Sequence, residues 1–153
     1  MSSLTKEQLR ADLKTSMLAQ DKVRTRTLRS LLTAITQAEV SGTEAVELTA
    51  EQLLDVVSRE AKKRREAIEE FGKAGRDDLV AKEAEEAAVL ADYQPQQLTA
   101  DEIDALVAQV IADTGTAGAG PKAMGQVMGK LTPLTKGRAD GKLVAETVRR
   151  LLA

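Results

Sequence analysis

Residues 49–72 read TAEQLLDVVSREAKKRREAIEEFG, and their spacing decides the fold class. Leu53, Leu54, Val57, Ala61, Ile68 and Phe71 fall on one side of a 3.6-residue repeat, with charged residues of both signs between them. That period belongs to an amphipathic helix and not to a strand. Thr49 stands three residues before Gln52, the spacing at which the two side chains cap each other's backbone N–H groups. Gly72 to Gly75 ends the run.

Working outward, the same start signal recurs at Thr5 with Gln8 and at Thr99 with Glu102. Leu9, Leu13 and Met17 mark one face of a first helix. A second runs from about Asp21, with Leu28, Leu31, Leu32, Ile35 and Ala38 as its stripe and Ser41-Gly42 at its end. Asp77 is placed to cap a helix through Leu79, Ala84, Ala87 and Leu90 to about Tyr93. Gln94-Pro95-Gln96-Gln97 then interrupts the pattern, and a subdomain boundary is expected there.

Beyond the boundary, Ile103, Leu106, Val107, Val110 and Ile111 share a face. The chain loosens at 114–120 and restarts at Pro121, a favoured first helical position. Met124, Val127, Met128 and Leu131 line a short helix that Pro133 is expected to close. A last helix from about Asp140 is expected to bury Leu143, Val144, Val148, Leu151 and Leu152. No strand-like run occurs. The fold expected is all-α, with an N-terminal helical subdomain over 1–94 and a small three-helix subdomain over 95–153.

The 153 residues contain no Cys, no His and no Trp, one Phe and one Tyr. Disulfides, thiolate chemistry and zinc-cysteine sites are excluded, and the commonest general base and metal ligand is missing. No apolar run reaches membrane-spanning length and no signal-peptide core is visible, which gives the expectation of a cytoplasmic protein. The net charge of -2 is unevenly spread. Residues 1–41 hold 7 basic and 4 acidic side chains, 42–119 hold 8 and 18, and 120–153 hold 7 and 2. A basic end on an acidic chain can orient a protein against a polyanion.

Catalytic constellations are poorly supported. Ser3 and Lys6 have a Ser-x-x-Lys spacing without its companion motifs. Gly115 and Gly120 begin a phosphate-loop spacing, but Pro121 stands where Lys is required. Glu83, Glu85 and Glu86 read as solvated helix surface. Arg59, Lys62, Lys63, Arg64 and Arg65, interleaved with Glu60, Glu66, Glu69 and Glu70, read as a self-paired helix face. Gly125 and Gly129 read as room for a neighbouring helix.

Lys136-Gly137-Arg138-Ala139-Asp140-Gly141-Lys142 remains. Two glycines expose backbone there, a helix begins with its N–H groups free, and cations surround it, so phosphate oxygens can be held. Lys136, Arg138 and Lys142 form the candidate centre, with Lys130 and Lys122 at its margin. The plainer reading is a basic turn with Asp140 as N-cap.

Several stretches in order along the chain resemble the YqeY family. They are 27–32 (TLRSLL), 63–68 (KRREAI), 74–79 (AGRDDL), 125–129 (GQVMG) and 136–144 (KGRADGKLV). The family consists of free-standing relatives of the C-terminal tail domain of GatB, a subunit of the tRNA-dependent amidotransferase, and the last two stretches also resemble that tail. The resemblance implies a two-part helical fold and a partner that is tRNA or a tRNA-amidating complex. It links the chain to carbon-nitrogen ligation with glutamine as nitrogen donor. The catalytic part of that enzyme, with its ATP and magnesium, is missing, so neither a cofactor nor a catalytic residue is expected. Gln94 departs from the family, which has an apolar residue before Pro95. Two functions follow as expectations: a non-catalytic tRNA-binding accessory, or an adaptor whose acidic helices contact a basic protein.

Overall fold

Two of the three threonine caps are reciprocal. Thr49 with Gln52 and Thr99 with Glu102 each exchange both bonds, whereas Thr5 only accepts from the Gln8 N–H. The Gln8 side chain donates to Asp12 instead, at 2.8 Å. In the computed structural model, which describes residues 3–153, these signals open three of seven α-helices, and no strand is present among the described residues. The helices are α1 Lys6–Leu18, α2 Lys22–Glu39, α3 Ala50–Lys73, α4 Asp77–Ala91, α5 Ala100–Thr114, α6 Met124–Thr135 and α7 Gly141–Leu152, with a 3-10 turn at Gly120–Ala123 before α6.

Three local expectations are corrected. Asp77 is the first residue of α4 and not its cap, which is Arg76; the Arg76 guanidinium pairs with Asp78 at 3.2 Å. Pro133 lies inside α6 and does not close it. In the last turn a proline removes a single N–H bond. The Lys136 N–H still reaches the Thr132 carbonyl at 3.0 Å, and the Thr132 hydroxyl donates back to Met128 at 2.8 Å. The expected apolar faces are also rotated at their ends. Met17 and Leu143 are about half exposed, while Ser16 and Thr147 take the buried places.

The chain divides into two compact units, one running up to Gln94 and the other spanning Pro95–Ala153. In the first, α1 lies on α2, and α2, α3 and α4 pack together, α3 with α4 most extensively. Its core is Leu9, Leu28, Leu31, Ile35, Leu53, Val56, Val57, Ala61 and Leu90. Truncating a fully buried Leu such as Leu28 to Ala would cost roughly 2–5 kcal/mol, because the transfer and cavity terms add. The second unit packs α5, α6 and α7 mutually around Ile103, Val107, Val110, Val127, Leu131, Val144, Val148 and Leu152. Both cores are aliphatic, and Tyr93 packs at the margin of the first.

Candidate nucleic-acid interface

The five cations named from the sequence all lie in the second unit and all are exposed. Lys122 sits in the 3-10 turn, Lys130 on the outer side of α6, Lys136 at the C-cap of α6, Arg138 in the connecting turn and Lys142 in the first turn of α7. Gly137, with φ +74°, supplies the left-handed residue that reverses the chain between Lys136 and Arg138. The N-terminus of α7 is less open than the sequence suggests. Asp140 caps it, accepting from the Lys142 N–H at 3.0 Å, and this places a carboxylate inside the basic turn.

Arg138 is held in a definite way. Its Nε donates to the Gln96 carbonyl at 3.3 Å, while its own carbonyl accepts from the Leu98 N–H at 2.8 Å. The Gln97 amide donates to the Gly137 carbonyl at 2.8 Å and to the Pro95 carbonyl at 3.0 Å. Gln96 and Gln97, which sequence reasoning treats only as part of a boundary, and Leu98 beside them are therefore bonded to the basic turn. Periodicity carried no signal for this, because the bonds join positions about 40 apart.

The α6 glycines need a different account from the one their spacing suggests. Both are exposed, and a Cβ built at Gly125 or Gly129 meets nothing within 4 Å. Among the described residues, nothing packs against these two positions. They leave bare backbone on the side of α6 that also carries Gln126 and Lys130, two residues that are likewise exposed.

In the first unit the charged faces are cross-linked between helices and not simply self-paired. Arg64 of α3 bonds Glu83 at 2.9 Å and Glu86 at 3.0 Å, both on α4, and also faces Glu60 at 3.8 Å. Arg26 of α2 reaches Glu86 at 2.7 Å. Glu86 is buried, so the solvated-surface reading fails for it, while Glu60 is buried and pairs along its own helix with Lys63 at 3.1 Å as well as with Arg64. Burial alone would lower the Arg64 guanidinium, but the hydrogen bond to Glu83 and the surrounding carboxylates hold it above its ordinary value. The signal was present in the sequence: Glu60 and Arg64 stand in phase with Leu53, Val57 and Ala61. The self-paired reading holds for Lys63 with Glu60, and the same helix adds Lys73 with Glu69 and Glu70.

The lysine of the Ser-x-x-Lys spacing is structural. Lys6 is committed to Glu39 at 2.9 Å, across the α1–α2 pair. Among the described residues no group of His, Cys, Asp or Glu is arranged to hold a metal ion. A groove of about 620 Å³ runs between α2 and α3, with Ala34, Ala38, Leu48 and Val56 below and Gln37, Arg59 and Lys63 at its edge.

Compared with known proteins, residues 6–152 match the family described as Yqey-like protein. The chain belongs to the YqeY family. Its similarity extends to proteins named "Altered inheritance of mitochondria protein 41, mitochondrial". The Kluyveromyces lactis protein is 38% identical over 107 residues, covering 69% of this chain and 57% of that one. The Pyrenophora tritici-repentis protein is 32% identical over 147 residues, covering 94% and 78%. A Saccharomyces cerevisiae protein is 37% identical over 98 residues, covering 63% and 51%. The chain thus spans little more than half the length of two of these three YqeY relatives.

These relatives overturn the cytoplasmic expectation, since their names place them in mitochondria. That no described helix is long and apolar enough to cross a membrane does not identify a compartment. Organellar targeting is written in a separate segment and leaves no mark on the helices of the folded domain.

Proposed function

We propose that this chain is a non-catalytic, tRNA-binding accessory protein, acting alone or with a tRNA-amidating complex, and that its C-terminal unit carries the contact. The observation that carries this reading is the turn between α6 and α7. It presents Lys136, Arg138 and Lys142 on the surface, and it sits in a segment, 120–153, with 7 basic and 2 acidic residues. Among the described residues Arg138 uses only Nε, which leaves the two terminal nitrogens of its guanidinium to take phosphate oxygens side by side. The bare backbone at Gly125 and Gly129 lets a sugar-phosphate strand approach α6 between Lys122 and Lys130. With no aromatic residue in the unit, recognition follows shape and charge and not base sequence. The resemblance of 125–129 and 136–144 to the GatB tail supplies the link to tRNA-dependent amidation.

The test is the variant with Lys136, Arg138 and Lys142 all changed to Ala. All three are exposed, so helicity and melting temperature should stay nearly unaltered. Binding to tRNA should weaken strongly at low salt, and the slope of log affinity against log salt should flatten by roughly two to three units, at about 0.7–0.9 per phosphate contact. A folded variant with wild-type affinity and slope would refute the assignment. The alternative is an adaptor whose acidic helices contact a basic protein, supported by the 18 acidic against 8 basic residues of segment 42–119. It predicts a protein partner that remains attached after nuclease treatment.

A further inference from the structure

We infer that Gln97 is a positioning residue for the anion-binding turn, so that segment 95–98 is a working part of the site and not a passive connector. The inference rests on the reading of Arg138 as a phosphate contact. The amide nitrogen of Gln97 forks between the Pro95 carbonyl at 3.0 Å and the Gly137 carbonyl at 2.8 Å. It thereby fixes the peptide immediately before Arg138, at the residue with φ +74°. The backbone bond from Leu98 to the Arg138 carbonyl, 2.8 Å, holds the following peptide. With both peptides flanking Arg138 fixed, the Gln96 carbonyl takes Nε at 3.3 Å and directs the guanidinium.

An arginine on an exposed turn otherwise samples many rotamers, and immobilising it on binding is costly. Here part of that ordering is done before the ligand arrives. Gln97 itself is exposed and contributes to neither core, so removing its amide should disturb the turn without unfolding the unit. It carries no charge, so any effect on the salt slope must pass through a cation.

The experiment uses the full chain and total tRNA as probe, with affinity measured across a salt series. The variants are Gln97→Ala, Gln97→Met, which keeps the length without the donor, Arg138→Ala, and Gln97→Met combined with Arg138→Ala. The expected result is that each single variant weakens binding and flattens the slope by up to one contact, about 0.7–0.9. The double variant should then be no weaker than Arg138→Ala alone. Melting temperatures should match the wild type throughout. If Arg138→Ala weakens binding while both Gln97 variants behave as wild type, the positioning role is refuted and the tRNA reading stands. Additive losses in the double variant also refute it, because Gln97 would then act independently of Arg138. If Arg138→Ala itself has no effect, the phosphate reading of the turn fails and this inference falls with it.

Discussion

The single tyrosine shows how one residue gathers several elements. The Tyr93 hydroxyl donates to Asp12 of α1 at 2.6 Å and accepts from Arg24 of α2 at 3.1 Å. The Arg24 guanidinium lies 5.6 Å from the ring centre and also pairs with Asp92 at 2.9 Å. Burial and the bond to Asp12 push the phenol from 10.0 to about 12, against the opposing pull of Arg24. A phenol that holds its proton more tightly when folded stabilises the fold below the unfolded value. That contribution declines as pH rises from about 10 towards 12. Absorbance titration should place the phenolate midpoint well above that of free tyrosine, and Asp12→Asn should bring it down. A midpoint at the ordinary value would contradict the bonded geometry. Arg64 is the second decisive residue. Replacing it by Met would remove the cation that Glu60, Glu83 and Glu86 share, leaving Glu86 with Arg26 and Glu60 with Lys63, at a cost of roughly 1.5–3 kcal/mol. Urea unfolding should show this loss, and a stability equal to wild type would mean that the network is dispensable.

Among the elements, α6 departs furthest from what a stable helix prefers. It contains Gly125, Gly129 and Pro133 within 12 residues. Interior glycine costs about 1 kcal/mol relative to Ala, and no neighbour in the described chain fills the space beside Gly129. Gly129→Ala should therefore stabilise the protein by ~1 kcal/mol and raise its melting temperature. If the bare backbone serves tRNA, the same variant should bind less tightly. Stabilisation without any loss of binding would remove α6 from the interface. By contrast, α3 and α5 open with reciprocal caps that follow directly from local spacing, and this is why their starts were legible. The interior Pro133 was not, because whether a helix continues past proline depends on the bonds its other residues retain.

For the molecule as a whole, the division at Gln94 separates two cores that share no residue. The fragment 95–153 should fold alone into a helical, cooperatively melting unit, because α5, α6 and α7 cover one another's apolar faces. A disordered circular dichroism spectrum would refute this. The charge is divided along the chain as well: the segment 120–153 is strongly basic while 42–119 is strongly acidic. Salt should therefore affect polyanion binding far more than it affects folding.

The sequence by itself determined the helices, the aliphatic composition of the cores and the basic character of the C-terminal segment. Each follows from local spacing or residue type, which the chain carries whatever its neighbours do. Only the tertiary structure decided that Glu60 and Arg64 are drawn into a cross-helix network, that Leu143 is half exposed, and that nothing among the described residues packs against Gly125 and Gly129. It alone joined Gln97 to the basic turn, since a bond between residues 40 apart in sequence is created by folding and has no period to betray it.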